Sequence, residues 1–501
     1  MHILDYLLKD ADLYKDKTAF YDSAESCSYG TALADSLKTA EYIKTTENTS
    51  CAVGVFADHD VHTLIAFFGV VLSGNFYVPL DPRQPESKLE KIIQDAKLKL
   101  ILGRQKEQEI LPESYHGLFA RIDQIRKTGK VGKSVFITAQ MPPDAPLYMV
   151  YTSGSTGFPK GVLKSQGAML DFIEAYADTF DFSHDEVIGS QTPFFFDASA
   201  KDIYLTLKLG AALQIIPEEK FLLPPALIRY LNEKKITFIS WVPSALSLIT
   251  QFQVFSEMIP ETLRKVFFVG ESFPEKHFIR WQSALPDIEY VNLYGASELA
   301  GICCYYRVPA GYTESGGIPI GKPLKNCHVF LGECTEDGKD VCVITEPRKT
   351  GEIFLSSKAL ALEYYHDPEK TARSFIQIAG ERTFRTGDLA WYDEEGNLYF
   401  ASRNDSQIKH MGQRIELGEI ETVCQSVEQI EKACCLYDAE KKRIWLFCQL
   451  TEGADEDARS LLTILKRILV YYMLPQRIVI KDKLPLNANG KIDRQLLRQE
   501  I

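Results

Sequence analysis

The sequence predicts an α/β protein: a large N-terminal domain of layered α/β subdomains with a small β-barrel-like subdomain, then a small mobile α+β C-terminal domain. Three observations predict it. Short apolar runs alternate with stretches of helical periodicity through most of the chain, as parallel sheets covered by helices require. After about residue 312 the runs become shorter and β-like. From Gly412 onward the pattern turns α+β. A chain of 501 residues has room for a large core and roughly two to four domains.

The elements follow in order. Apolar runs at 52–56, 77–80 and 98–102 read as strands, separated by helical patterns at 60–72 and 88–96. The prolines in Tyr77-Val-Pro-Leu-Asp-Pro82 break the chain into the second of these helices. Residues 237–241 form a further strand ahead of Pro243 and a helix, and 267–269 a strand ending at Gly270-Glu271. Runs at 328–331, 341–345, 351–355 and 397–400 suggest a small antiparallel or barrel-like unit. Beyond it come a helix at 416–426, strands at 433–437 and 443–450, a helix at 457–471 and a strand at 477–480. The polar break at 403–406 places the boundary between domains 1–403 and 404–501.

Composition narrows the function classes. Apolar content of 45% and charged content of 25% are ordinary for a globular chain. A net charge of −12 argues against nucleic-acid binding and against a basic membrane-surface patch. The N-terminus carries no basic segment followed by an apolar one, and the run 64–72 is too short to span a bilayer. These features lead us to expect a cytoplasmic protein without membrane insertion. Eleven cysteines, with no Cys-x-x-Cys and with vicinal pairs at 303–304 and 434–435, suit free thiols in a reducing compartment. The nine histidines are scattered and suggest no transition-metal site.

The most informative stretch is Tyr151-Thr-Ser-Gly-Ser-Thr-Gly-Phe-Pro-Lys-Gly-Val162. A buried strand at 147–150 opens into a loop dense in backbone N–H and hydroxyl donors, with Lys160 at its end. Glycines let such a backbone approach a polyphosphate closely, and the lysine adds point charge. It is not a Walker P-loop, because Gly-Phe-Pro-Lys-Gly replaces Gly-Lys followed by Ser or Thr, and Gly490-Lys491 precedes Ile492.

This loop closely resembles the phosphate-binding loop of adenylate-forming enzymes: acyl-CoA synthetases, luciferases and the adenylation domains of nonribosomal peptide synthesis. Further matches follow in the family's order from about residue 20 to 494. The resemblance implies ATP contacts at Thr152, Ser153, Gly154, Ser155, Thr156, Gly157 and Lys160, and again at Gly270 and Glu271. In Asn292-Leu-Tyr-Gly-Ala-Ser-Glu298 it implies that Asn292 meets the purine's amino edge, Tyr294 stacks on adenine, Gly295 and Ser297 line the nucleotide, and Glu298 helps hold Mg2+. Ala296-Ser297 stands where the family more often has Pro-Thr, and the hydroxyl is kept. An acidic protein that binds ATP must create its positive potential locally.

Phe384-Arg-Thr-Gly-Asp388 resembles the ribose-binding motif, with Asp388 accepting from the ribose hydroxyls. Taken alone, Thr-Gly-Asp is a plain turn. By the same resemblance Arg403 meets ribose or phosphate, where its planar fork of donors suits the ligand, and Asp405 is the hinge. Leu484-Pro-Leu-Asn-Ala-Asn-Gly-Lys-Ile-Asp-Arg494 resembles the C-terminal catalytic-lysine motif. A lysine, here Lys491, is needed because an anionic carboxylate attacks an anionic phosphate, and a cation can bridge them in the transition state. The implied catalytic set is Lys491, Arg403 and Glu298.

Phe194-Phe-Phe-Asp-Ala-Ser199 bears on the substrate. It resembles the segment of amino-acid adenylation domains in which an aspartate, here Asp197, pairs with the substrate α-ammonium. A buried carboxylate without a cation is costly, so such a pocket selects an ammonium. Asp-Ala-Ser is also a helix N-cap pattern. The resemblance lines the pocket with Ala198, Lys201, Ser240, Phe267, Val269, Leu293, Gly301 and Ile302. Lys201 pointing inward would call for an acidic side chain. Lys201 paired with Asp202 would leave a lining for a small or medium apolar amino acid.

Length and layout are also similar to stand-alone D-alanine–carrier-protein ligases, although Val269 and Lys201 differ from their lining. No carrier-domain serine motif or condensation-domain histidine motif is present. The expected reaction is therefore formation of aminoacyl-AMP, then transfer to the phosphopantetheine of a separate carrier protein. The alternative is a carboxylic acid–CoA ligase in which Asp197 is structural.

Overall fold

A computed structural model of the protein describes residues 1–46, 50–131, 141–152, 159–313, 317–334, 341–403, 407–485 and 492–501. The chain divides into two compact units. The larger comprises Met1–Pro82, Ala96–Val150 and Gly161–Asn404, the smaller Arg83–Asp95, Tyr151–Lys160 and Asp405–Ile501.

Most of the larger unit is layered α/β. One sheet of nine strands runs in the order Lys322–Pro323, Cys304–Val308, Glu289–Tyr294, Lys265–Val269, Phe238–Trp241, Val187–Ser190, Ala212–Ile215, Thr18–Tyr21 and Ser26–Ser28. Its central strands are parallel, and Cys304–Val308 turns back antiparallel onto Glu289–Tyr294. A second sheet of seven strands centres on Pro146–Thr152, Phe76–Leu80 and Ala52–Phe56. Ala52–Phe56 and Phe76–Leu80 are buried at every position. Helices cover both faces of such strands, so they read as continuous apolar runs without alternation. Pro79 is tolerated inside its strand because pairing with Pro146–Thr152 occurs at Tyr77 and Tyr148, before the missing N–H is reached.

The apolar helix Val61–Leu72 begins at Asp60, whose side chain accepts from the Thr63 amide at 2.9 Å. An aspartate is a good N-cap because it satisfies an amide the helix leaves orphaned.

The β-rich part of this unit is an antiparallel sheet ordered Val341–Ile344, Cys327–Cys334, Gly351–Ser357, Glu381–Tyr392 and Phe375–Ile378. Leu398–Arg403 also pairs with the long central strand Glu381–Tyr392.

The smaller unit is α+β. The hairpin Gln407–His410 and Gln413–Glu416 turns through Met411 and Gly412, both at positive φ (52° and 74°), the geometry that matches strand twist. Ile430–Asp438, Arg443–Leu450 and Arg477–Ile480 form a sheet, which shares a core with the helices Leu417–Gln425 and Ala458–Leu465 through Ile420, Cys424, Leu446, Leu461 and Leu465. The helix expected over 457–471 is shorter. It stops at Leu465, and Tyr471–Met473 is a separate 3-10 turn.

None of the eleven cysteines is joined in a disulfide. No helix among the described residues is long and apolar enough to cross a membrane.

Candidate functional site

Three carboxylates of the larger unit are held by specific partners. The first is Asp388, on the long strand Glu381–Tyr392. Antiparallel register sets it directly opposite Arg403. The Arg403 guanidinium bonds Oδ1 of Asp388, and its Nη2 donates to the Thr386 carbonyl at 3.2 Å. The Tyr294 hydroxyl donates to Oδ2. The Asp388 amide donates to Thr386 Oγ1 at 3.0 Å within the strand. Asp388 and Tyr294 are 2% and 3% exposed. Burial and the Asp388 anion hold the Tyr294 hydroxyl well above its usual pKa, so it keeps the proton it donates.

The second is Glu298, in the loop after Glu289–Tyr294. That loop folds tightly on itself: Cys303 N–H donates to the Tyr294 carbonyl at 2.8 Å. A Cβ on Gly295 would come within 2.4 Å of the Gly301 carbonyl oxygen, so glycine is required there. Two backbone bonds clamp the loop to residues 359–361: Ala361 N–H to the Glu298 carbonyl (2.9 Å) and Ala300 N–H to the Ala359 carbonyl (2.8 Å). Glu298 is fully buried and accepts from the Tyr364 hydroxyl at 2.6 Å. Just upstream, Asn292 Nδ2 donates to the Pro319 carbonyl at 2.7 Å.

The third is Asp197. The helix that follows, Ser199–Leu209, has no side-chain cap, and Asp197 does not serve as one. Its Oδ1 instead accepts from Lys164 Nζ and from the Tyr148 hydroxyl, the latter at 2.8 Å. Lys164 also donates to the Leu299 carbonyl at 2.8 Å. The Lys164 side chain is fully enclosed, whereas that of Asp197 is 15% exposed. Burial pulls the Lys164 pKa down, and the Asp197 and Glu298 carboxylates oppose that pull.

A family model described as AMP-binding enzyme matches residues 7–365. The chain belongs to this family. Among its relatives, the L-proline–[L-prolyl-carrier protein] ligase of Pseudomonas fluorescens is 30% identical over 507 residues, 97% of either chain. A linear gramicidin synthase of Brevibacillus parabrevis is 32% identical over 453 residues, which cover 89% of this chain and 8% of that much longer one. The adenylation domain AlmE of Vibrio cholerae, solved in complex with glycyl-adenosine-5'-phosphate, has the same fold, with a TM-score of 0.86, 22% identity and coverage of 99% and 97%.

In this AMP-binding enzyme four of the residues expected to line the substrate pocket, Ser240, Phe267, Val269 and Leu293, share one sheet face. Ser240 is the parallel partner of Phe267, and Val269 that of Leu293. Gly301 presses against this region from the loop: at φ 103° it faces the Phe172 ring, which a Cβ would meet at 2.2 Å. Ile302 is buried and Ala198 half-buried. Lys201 resolves in favour of its neighbour: Nζ donates to Asp202 Oδ1 at 2.8 Å and to the Ser240 carbonyl at 3.4 Å. Both side chains are almost wholly enclosed, and burial raises the Asp202 pKa against the pull of Lys201.

Gly270 turns at φ 96° directly after its strand, with Glu271 half-buried beside it in sequence. Ser297 is half-buried in the Glu298 loop. In the smaller unit Thr152 ends a strand with its Oγ1 buried and without a hydrogen-bond partner among the described residues, and Lys160 begins the next strand. Ser153, Gly154, Ser155, Thr156, Gly157, Asp405 and Lys491 lie outside the described residues.

Sequence reasoning missed Lys164, Tyr148 and Tyr364. The sequence Lys-Gly-Val-Leu-Lys-Ser is too mixed to signal that Lys164 is enclosed; only the burial of its strand shows that its ammonium needs a buried anion.

Proposed function

We infer that this chain activates the carboxylate of an amino acid with ATP. The products are an aminoacyl adenylate and pyrophosphate, and the aminoacyl group then passes to the phosphopantetheine thiol of a separate carrier protein. The observation that carries the reading is the end-to-end similarity, 97% of both chains, to an enzyme named as a prolyl–carrier protein ligase. The complex of AlmE with a glycyl adenylate supports the first half-reaction.

The residues fit the nucleotide and its metal. Thr152 offers a buried hydroxyl with an unused hydrogen-bonding capacity at the entrance to the Ser/Gly loop. Glu298 is a fully buried carboxylate oriented by Tyr364, and carboxylate oxygen is the ligand type Mg2+ prefers. When bound, Mg2+ offsets charge on the phosphates. Asp388, held by Arg403 and Tyr294, receives the ribose. Lys160 and the loop 153–157 hold phosphate. Lys491 bridges the attacking carboxylate and the α-phosphate, and Asp405 is the hinge on which the C-terminal domain turns before thiol attack. With Lys201 satisfied by Asp202, the remaining lining of Phe267, Val269, Leu293 and Ile302 suits a small or medium apolar side chain. The free thiols suit a cytoplasmic setting.

The test is amino-acid-dependent ATP–pyrophosphate exchange across the proteinogenic set plus D-alanine. Thioester formation is then measured with a holo-carrier protein or with free coenzyme A. Exchange with an apolar amino acid and transfer to the carrier are expected. Lys491→Ala should lower exchange by about 100- to 1,000-fold while leaving thiol transfer from a supplied adenylate intact. The bond from Lys164 to Asp197 favours a second reading, an acid–CoA ligase with Asp197 structural. Exchange with simple carboxylic acids alone, and thioester formation with coenzyme A, would establish that one instead.

A further inference from the structure

Asp197 is already neutralised by the protein's own cation. Lys164 cannot leave it cheaply: its ammonium is fully enclosed, and water does not replace the carboxylate if the pair breaks. The strand that carries it, Lys160–Ser165, is buried at every position from Gly161 to Ser165, so the side chain has no route to solvent. The Tyr148 ring lies 5.2 Å from the ammonium and its hydroxyl binds the same carboxylate oxygen, Oδ1. The Leu299 carbonyl takes a second Lys164 proton. Lys164 and Tyr148 thus meet Asp197 at a single oxygen, Oδ1, and the side chain as a whole is partly exposed.

Resting on the amino-acid reading above, we propose that Lys164 stands in for the substrate ammonium at Asp197, so that the same site also activates 2-hydroxy acids bearing the side chain it prefers. With an amino acid, the α-ammonium meets Oδ2 of Asp197 while Lys164 keeps Oδ1. With the matching 2-hydroxy acid, the hydroxyl donates to Oδ2 and the carboxylate stays paired. The chemistry is unchanged: a carboxylate oxygen bonds the α-phosphorus of ATP, the bond to the β-phosphate bridge breaks, and pyrophosphate leaves.

The contrast is with a site whose aspartate has no partner of its own. There an acid lacking the ammonium strands a buried anion, the kind of mismatch that rejects an analogue by roughly 10,000-fold or more. An ammonium at Oδ2 still makes a charge-assisted hydrogen bond, which a hydroxyl does not. Amino acids therefore keep an advantage, and Lys164 makes it a moderate one.

The experiment is pyrophosphate exchange by the full chain with matched pairs: alanine and lactate, valine and 2-hydroxyisovalerate, phenylalanine and phenyllactate. For the pair whose amino acid exchanges best, kcat/KM for the hydroxy acid is expected within about 100-fold of the amino acid. A wider gap overturns the proposal while leaving the amino-acid reading intact. Exchange with no acid of either class overturns both. Exchange with the hydroxy acid alone overturns the amino-acid reading and the proposal that rests on it. In Lys164→Met the amino-acid preference should widen by at least about 10-fold, because the bare Asp197 then demands an ammonium. An unchanged ratio overturns the proposal. If that variant does not fold, the wild-type ratio decides.

Discussion

Lys201→Met tests whether the enclosed pair beside the pocket face is one electrostatic unit. The substitution keeps the volume of the side chain and removes its charge. It leaves Asp202, 1% exposed, with no cation at 2.8 Å and with an Oδ2 that has no hydrogen-bond partner among the described residues. Breaking a buried pair from one side costs about 3–5 kcal/mol. At about 2–4 °C per kcal/mol for units of 150–250 residues, and less for a larger one, melting should fall on the order of 5–10 °C. Asp202 can escape part of this cost by taking a proton, and burial already raises its pKa. Its folded pKa then lies above the unfolded one, so folding is favoured at low pH and disfavoured as pH rises. Each pH unit in that window changes the cost by about 1.4 kcal/mol. Thermal melts at pH 6 and pH 8 should therefore show the larger loss at pH 8. Lys201→Met/Asp202→Leu should recover most of the loss, since an apolar pair needs no compensation. A single variant that melts within about 2 °C of wild type at both pH values would refute the reasoning.

Gly301→Ala should destabilise by about 3 kcal/mol or more, because its φ of 103° disfavours any Cβ and the methyl would meet Phe172 at 2.2 Å; thermal melts check this. Tyr364→Phe removes the donor to Glu298 and should raise the Mg2+ concentration for half-maximal exchange by about 10-fold, read by metal titration. Asp10 is buried on the helix Asp5–Leu13, its Oδ2 has no hydrogen-bond partner among the described residues, and burial raises its pKa from 3.8 to about 6 against Lys9 and Lys17. A raised folded pKa means its cost is absent below about pH 4 and complete above about pH 6. Asp10→Asn should therefore gain about 1 kcal/mol, after solvent screening, at pH 7.5 and nothing at pH 4.

Much of this arrangement was legible in the sequence, and the gaps have physical causes. The parallel strands announced themselves as apolar runs because both faces are buried, and Asp60 marked the start of its helix as an N-cap should. The helix 457–471 was read too long because Leu461, Leu465, Leu469 and Met473 keep a helical spacing. All four are buried, but the last two lie in turns that present them to the same core. Asp388 and Arg403 are fifteen positions apart in sequence, and only the hairpin register sets them face to face. The partner of Lys201 was left open because an adjacent aspartate on a helix does not reveal whether the pair is enclosed. Lys164 escaped notice because a lone lysine in a strand ordinarily faces solvent, and this strand has no solvent face.

The stretch Glu298-Leu299 gives its side-chain carboxylate to Tyr364 and the Leu299 carbonyl to Lys164, while the Glu298 carbonyl accepts from the Ala361 amide and the Ala300 amide donates to the Ala359 carbonyl. One dipeptide therefore serves two neighbourhoods at once. A substitution at Ala359 or Ala361 that shifts this backbone would disturb the Lys164–Asp197 pair and the Glu298 carboxylate together. In a lineage drifting toward a new acid, such changes would be pleiotropic: each gain in selectivity would bring an altered metal response. The tolerated paths should run instead through the pocket face at Phe267, Val269 and Leu293, where a side chain can change without moving the shared backbone.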